Sequence, residues 1–158
     1  IQQGKWRPYE EDIHMPLVVR GPGVAAGSTT YKLVLNTDYL PTFTDLAGEQ
    51  SPPYVDGRSL RPVLDGSVTS WRSAMLLEAA ANYSQAYRGI RTVTTNTITR
   101  RKYVEYAGGA RELYNLESDG YELTNSYNAA APPTSLAVRL QALKVCATYT
   151  CRAAEDGS

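Results

Sequence analysis

The sequence predicts a mixed α/β (α+β) fold, in which short strands and helices are followed by a small antiparallel sheet with a packed C-terminal helix. Three observations lead to this prediction. The first half alternates short apolar runs with helical spacing, the second half contains successive runs rich in Thr, Val, Ile and Tyr, and one amphipathic stretch lies near the end. The 12 Gly, the 9 Pro and the 12 Tyr against one Phe favour a loop-rich fold with wet aromatic surfaces over a helical bundle.

The first 35 residues predict short elements separated by turns. A short helix is expected between Pro8 and Pro16, because proline suits the first turn of a helix but cannot continue one. The apolar run from Leu17 to Val19 does not alternate, which is typical of a strand covered on both faces in a parallel sheet. Residues 20–23 form a strand-ending turn or, alternatively, a nest for an anion. Residues 32–35 form either a second strand or an extended connection.

A longer helix is expected after Asp38, because apolar residues recur there at helical spacing up to Gly48, which supplies the stop. A brief helical turn over residues 60–64 follows. Residues 67–70 have the composition of a linker. The linker divides the chain into two units, residues 1–70 and 71–158.

The second unit predicts a sheet with one helix laid across it. Asn96 lies between two β-type runs and indicates a hairpin, while the basic run of residues 100–102 is expected to face solvent. An amphipathic helix is predicted from Ser135 to Cys146, with one apolar stripe. The predicted strands cover residues 74–79, 87–95, 97–106 and 112–116.

The chain has two cysteines, Cys146 and Cys151, five positions apart. They form a local disulfide, remain free thiols or contribute to a metal site, although one His and two Cys cannot complete a four-ligand zinc site without carboxylates. A disulfide would place the protein outside the reducing cytosol.

The charge balance argues against two classes of protein. The 16 Lys and Arg are matched by 16 Asp and Glu, so the basic excess of a nucleic-acid-binding protein is missing. No window approaches 18 consecutive apolar residues, so no membrane span is predicted. The expected partners therefore include neither nucleic acid nor a membrane.

No complete set of catalytic residues stands out. The sequence has no G-x-S-x-G elbow, no Walker-type phosphate loop and no acidic Ca²⁺ loop. His14 is the sole imidazole and is either a packed or surface histidine or a general base. The acids of residues 10–12 are most simply a solvated face at a helix N-terminus.

Four segments, however, resemble motifs of the type I, formylglycine-dependent sulfatases, in the order in which that family carries them. Residues 4–23 (GKWRPYEEDIHMPLVVRGPG) resemble the family pattern G-K-x-x-x-Y-E-x-x-I-x-x-P-L-x-x-R-G-P-G. Residues 36–42 with 46–48 (NTDYLPT and LAG) resemble the D-x-x-P-T and L-A-G helix. Residues 56–64 (DGRSLRPVL) resemble D-G-x-S-L-x-P-L-L, and residues 112–119 (ELYNLESD) with Asn125 resemble a late E-L-Y-D-L segment. Residues 87–92 (YRGIRT) are most similar to the N-acetylglucosamine-6-sulfatase branch.

The resemblance implies the C-terminal fragment of an alkaline-phosphatase-like sulfatase fold. Residues 1–70 would form the C-terminal edge of the catalytic α/β domain, and residues 71–158 the C-terminal antiparallel-sheet subdomain. In this family Ca²⁺ and a formylglycine carry out the attack on sulfur. The sequence lacks the C/S-x-P-S-R motif from which formylglycine is made and the family's metal motifs. The resemblance therefore implies that the N-terminal part of the enzyme holds both, and that this chain binds neither.

The resemblance also assigns four site residues. Lys5 matches the family's sulfate-binding lysine and is the catalytic candidate, against the alternative of a mobile surface lysine. Tyr9 and Glu10 match positions that would orient the turn beneath Lys5. His14 belongs to the same group, although many members of the family carry Arg at its position. No residue of the chain is assigned to a metal.

Two functions remain open at this point. In the first, the chain is part of a secreted, extracellular or periplasmic sulfatase, which acts on carbohydrate or aryl sulfates only together with its N-terminal part. In the second, it is a non-catalytic module that binds a saccharide or a protein through a Tyr-rich sheet. If Leu17 to Val19 is an interior strand without neighbours, another copy of the chain is expected to cover it, which predicts a homo-oligomer.

Overall fold

A four-stranded antiparallel sheet in the second half of the chain organises the molecule. The computed structural model describes residues 6–80, 86–94 and 99–157. The strands pair in sequence order, so the sheet is a meander, which agrees with the predicted series of consecutive strands. Asn96, the predicted hairpin residue, lies outside the described residues. The strands are β1 (Ala74–Ala79), β2 (Tyr87–Thr94), β3 (Thr99–Tyr106) and β4 (Arg111–Asn115).

Both faces of the sheet are covered by other parts of the chain. This explains why its strands carry large apolar residues on both faces instead of alternating strictly between apolar and polar residues. On one face, Leu33 from the first half of the chain packs into a core with Met75 and Val104. On the other face, Ile90 and Tyr103, which are register partners, pack under a helix from the end of the chain. The sheet is therefore the middle layer between the first half of the chain and the C-terminal helices.

The described part of the chain forms five α-helices in addition to the sheet. The predicted helix after Asp38 is confirmed as a 3₁₀ turn (Asn36–Asp38) leading into α2, and Gly48 follows the helix with φ of +78°. The amphipathic helix near the end is confirmed as α4, whose Leu140 and Leu143 are buried against the sheet. The helices are α1 (Glu10–Ile13), α2 (Tyr39–Leu46), α3 (Arg61–Leu64), α4 (Thr134–Val145) and α5 (Tyr149–Asp156).

One expectation for the first half needs correction, and two others are resolved by the structure. The segment from Leu17 to Val19 forms no strand, and Val18 is 91% exposed, because none of the described residues offers it a pairing partner. Of the two alternatives for residues 32–35, the structure shows the extended connection, which the burial of Leu33 fixes in place. The short helix expected between Pro8 and Pro16 is confirmed as the single turn α1, which begins at Glu10.

Helix α5 was not predicted. It is only eight residues long, and Thr148, the residue before it, has a positive φ of 56°. It packs on α4 and β1, and its Glu155 reaches the interior of the protein. No helix among the described residues is both long enough and apolar enough to cross a membrane.

The two cysteines form a disulfide, so the free-thiol and metal alternatives are wrong. The bond links the end of α4 to the first turn of α5. Replacing both cysteines with serine is expected to lower the free energy of unfolding by about 2 kcal/mol, because the unfolded chain regains the entropy of a six-residue loop. Urea denaturation of both proteins with and without reductant measures this difference. A reductant that destabilises the serine variant as much as the parent would contradict this explanation.

Candidate functional site

The segment that contains α1 is held on the sheet by the Glu10 side chain. Arg91 of β2 donates to this carboxylate from Nε at 3.0 Å and from Nη2 at 2.9 Å. Lys102 of β3 places its Nζ 2.9 Å from the same carboxylate. Glu10 is therefore not part of a solvated acidic face, as the sequence suggested, but of a largely buried ionic contact.

Lys102 also contacts a second acid. Its Nζ lies 2.7 Å from Glu122 Oε1, and the other oxygen of Glu122 accepts a hydrogen bond from the Glu10 backbone N–H at 2.6 Å. The Lys102 side chain is fully buried, which corrects the expectation that residues 100–102 all face solvent. These four residues, named here the Glu10 cluster, are Glu10, Arg91, Lys102 and Glu122.

The two acids of the Glu10 cluster respond to burial in opposite ways. Burial alone raises the pKa of the Glu10 carboxyl, but the hydrogen bonds and charge of Arg91, together with the charge of Lys102, outweigh it and hold that pKa at about 2. Burial raises the pKa of Glu122, and Lys102 only partly offsets this effect. Of the two acids, Glu10 is therefore the one that the cluster stabilises in its ionised form.

Tyr9 connects the same segment to β4. Its hydroxyl donates to Glu112 at 3.4 Å, and its ring meets the edge of Tyr114 with the ring centres 6.3 Å apart. Tyr106 donates to Glu112 as well, at 3.0 Å. Burial, followed by the charge of Glu112, raises the pKa of Tyr9, so its hydroxyl stays protonated as a hydrogen-bond donor.

The two remaining predicted site residues are His14 and Lys5, of which the structure describes only His14. The His14 side chain is 69% exposed and its Nδ1 lies 3.8 Å from Glu10, so it is a surface histidine rather than a packed one. Lys5 lies outside the described residues. Tyr9 and Glu10 thus contact β2, β3 and β4, and His14 lies beside Glu10. The structure adds Arg91, Lys102 and Glu122, which sequence reasoning missed.

The other family-like motifs meet in a second buried contact. Arg72, just before β1, donates to both carboxylate oxygens of Asp38 at 2.5 and 2.7 Å, and its Nε donates to Glu155 of α5 at 2.8 Å. Arg58 donates to Glu155 at 2.9 Å, and its backbone N–H donates to Asp38 at 3.0 Å. These four residues, named here the Arg72 cluster, are Asp38, Arg58, Arg72 and Glu155.

Gly57 shows why the D-G-R-S segment needs a glycine. A Cβ at this position would lie 2.0 Å from the carbonyl oxygen of Thr37. Any side chain would therefore push the loop away from the 3₁₀ turn and break the Arg58 to Asp38 hydrogen bond. This motif therefore packs the first half of the chain onto α5.

The described residues do not assemble a metal site or a catalytic centre. Within residues 6–80, 86–94 and 99–157, no three His, Cys, Asp or Glu side chains come close enough to hold a metal ion. A groove of about 400 Å³ between α2, residues 49–59 and α5 contains no member of the Glu10 cluster.

The sheet also fails to offer an aromatic binding face. Its tyrosines are buried, and several donate or stack within the protein, which removes the basis for a saccharide-binding module built on a Tyr-rich sheet. These tyrosines are Tyr87, Tyr103, Tyr106 and Tyr114. The expected wet aromatic surfaces lie elsewhere, where Tyr31, Tyr54 and Tyr121 are exposed.

The fold and this arrangement define the C-terminal portion of a sulfatase. The structure is similar to that of a protein solved in complex with its substrate D-glucosamine-2-N,6-O-disulfate. The TM-score is 0.65 and the sequence identity is 27%, and the match covers 75% of this chain and 25% of that protein. The sequence profile of the family described as N-sulphoglucosamine sulphohydrolase, C-terminal, matches residues 4–144. The chain belongs to this sulfatase family, which confirms the resemblance drawn from the motifs.

Relatives support the same branch. The chain is 31% identical to the N-acetylglucosamine-6-sulfatase of Homo sapiens, over 91% of this chain and 32% of the relative. It is 34% identical to the N-acetylglucosamine-6-O-sulfatase of Bacteroides thetaiotaomicron, over 77% of this chain and 23% of the relative. It is 30% identical to an extracellular sulfatase SULF-1 homolog of Drosophila melanogaster, over 78% of this chain and 10% of the relative. The chain thus spans between a tenth and a third of the length of these relatives.

Proposed function

We propose that the chain is the C-terminal segment of an enzyme that hydrolyses sulfate esters of carbohydrates or aryl alcohols, in which it supplies Lys5 and one wall of the pocket. The observation that supports this most directly is the Glu10 cluster, which fixes the segment immediately after Lys5 on a rigid sheet. The named activities of the relatives agree with this substrate class. The isolated chain is inactive in this proposal, because it lacks a nucleophile.

The role of Lys5 is electrostatic. An ammonium group close to the sulfuryl oxygens and the leaving oxygen offsets the negative charge that grows on them in the transition state. Such a group is effective only if it is held in place before the reaction. Tyr9 and Glu10, with His14 beside them, orient the segment that follows it. In the complete enzyme, the remainder of the protein would hold a formylglycine, which would supply the nucleophile, and Ca²⁺, which would supply further positive charge.

The proposed location is outside the cytosol, as an extracellular, lysosomal or periplasmic protein. One relative is named as extracellular, and the disulfide between Cys146 and Cys151 persists in an oxidising compartment.

Activity measurements test the role of Lys5. In the complete enzyme, Lys5→Ala is expected to lower kcat/KM for p-nitrophenyl sulfate by about 100-fold, the usual effect of removing one preorganised group that stabilises transition-state charge. Lys32→Ala is the matched control and should leave kcat/KM within twofold. The isolated chain supplied with Ca²⁺ should show no turnover. Turnover by the isolated chain that Lys5→Ala abolishes would overturn the requirement for the N-terminal part.

We also propose that the isolated chain self-associates through Leu17 to Val19. These apolar side chains are exposed, and removing them from water favours association. Light scattering is expected to show a dimer or larger species, and Val18→Lys should shift it to the monomer. Val138→Lys, at an exposed position of α4, is the control. A monomer at high protein concentration would contradict the proposal.

A further inference from the structure

We propose that Lys102 is a positioning residue for the sulfatase reaction: from inside the sheet, together with Arg91 and Glu122, it sets the position of Lys5 through Glu10. This inference rests on the proposed role of Lys5. It assigns a function in the reaction to a fully buried charged group that also anchors the first half of the chain on the sheet.

The placement of the two cations favours this role over a purely structural one. Arg91 and Lys102 are direct cross-strand partners on β2 and β3, with both side chains on the face that the first half of the chain covers. Like charges opposite each other destabilise a sheet. The sheet alone would therefore be less stable with this pair than with apolar residues. The pair becomes favourable when Glu10 lies between the two cations.

Glu122 contributes further contacts that hold Glu10 in place. It takes the left-handed backbone conformation, with φ of +56°, although it is not a glycine. Holding a side chain in that conformation costs free energy, and such costs collect at functional positions. In return, one oxygen of Glu122 contacts Lys102 and the other accepts the Glu10 backbone N–H. Both the backbone and the side chain of Glu10 are therefore fixed.

The distance along the chain is short enough to transmit this constraint. Lys5 precedes Glu10 by five residues, and Pro8 between them is fully buried. Lys5 and Pro8 are three positions apart in the sequence, so their Cα atoms are at most about 11 Å apart. A displacement of about 1 Å at a catalytic group can cost 100-fold in rate. A shift of the Glu10 anchor is therefore expected to reach the reaction.

The test removes Lys102 without leaving an unpaired charge. In Lys102→Met with Glu122→Gln, Glu10 keeps Arg91 as its partner, and replacing a buried ion pair by uncharged groups of similar size often leaves stability unchanged. The matched control is Arg100→Gln with Glu117→Gln, which removes a half-exposed ion pair beside Lys102 on the same strand. All variants are made in the complete enzyme, with and without Lys5→Ala, and their thermal midpoints are compared.

The expected result is a 10- to 100-fold loss of kcat/KM in the enzyme with Lys5, and no further loss in the Lys5→Ala background. Such non-additivity is the signature of two residues that act through one another. Glu122→Gln alone, which keeps the pair of Lys102 and Glu10, should show the same pattern with a smaller loss. The control should lose less than twofold in both backgrounds.

Two other results would overturn the inference alone. One is an equal loss in both backgrounds, which indicates a structural effect. The other is no loss in a folded double variant, or, if that variant does not fold, in Glu122→Gln. If instead Lys5→Ala leaves kcat/KM unchanged, the proposed function fails and the inference fails with it.

Discussion

Replacing Arg72 with methionine is expected to lower the free energy of unfolding by about 3–5 kcal/mol, the usual cost of removing one partner from a buried ion pair. The side chains of Arg72 and Asp38 have no exposed surface, and Glu155 is almost as buried. Without the guanidinium, Asp38 retains only backbone donors, and Glu155 only the partly exposed Arg58. Burial already raises the pKa of Glu155 with Arg72 present. Urea denaturation at pH 7 measures the loss.

Arg61→Met is the matched control for this prediction. Arg61 pairs with Asp45 at 3.1 Å, but both side chains are well exposed to water, and such a pair is worth at most about 1 kcal/mol. The two variants make the same chemical change on an Arg–Asp pair and differ in burial. Similar losses for both would show that water reaches the Arg72 cluster and would contradict its burial.

The Arg72 cluster also gives several family-like motifs a structural role. Asp38 from the helix motif and Arg58 from the D-G-R-S motif meet Glu155 of α5, which the sequence did not predict. The disulfide holds α5 on α4, and Arg72 connects α5 to the sheet. A chain of covalent and ionic contacts therefore runs from α4 to α2. These motifs fix the first half of the chain on the second.

The strands and the long helices could be predicted because their determinants are local. The β-branched and aromatic runs that became β2 and β3 lie within one or two residues of the predicted limits, and the stripe that became α4 has helical spacing. Residues 17–19 show the limit of such reasoning. An apolar run predicts burial, but a strand also needs a partner, and the sequence does not say where that partner lies.

The candidate site could be predicted only in part. The family motif pointed to Tyr9 and Glu10, but Arg91, Lys102 and Glu122 lie 81 to 112 residues further along the chain. Pairing over such separations depends on tertiary structure, and no local pattern encodes it. One signal was present: Lys102 alternates with Val104 and Tyr106 on the face of β3 that packs in the core. A charged residue in such a series indicates a buried partner.

Replacing Glu10 with glutamine is expected to lower the free energy of unfolding by about 3 kcal/mol at pH 7, and the difference should vanish toward pH 2. The pKa of Glu10 is about 2 in the folded protein, against 4.5 for a free glutamate. Each unit is worth about 1.4 kcal/mol. Because the folded-state pKa is the lower one, this stabilisation is complete above pH 4.5 and is lost as the pH falls toward 2. Urea denaturation from pH 7 to 2.5 measures it.

Glu11→Gln controls for the loss of one negative charge at the same turn. Glu11 is exposed, so its replacement should change the free energy of unfolding by less than about 0.5 kcal/mol. If Glu10→Gln were equally mild, or if its cost did not depend on pH, Arg91 and Lys102 would not hold the carboxylate in its ionised form. A cost that disappears between pH 4.5 and 2 would instead show that the segment after Lys5 is attached to the sheet by charge. The attachment of that segment would then weaken in acid before the sheet itself unfolds.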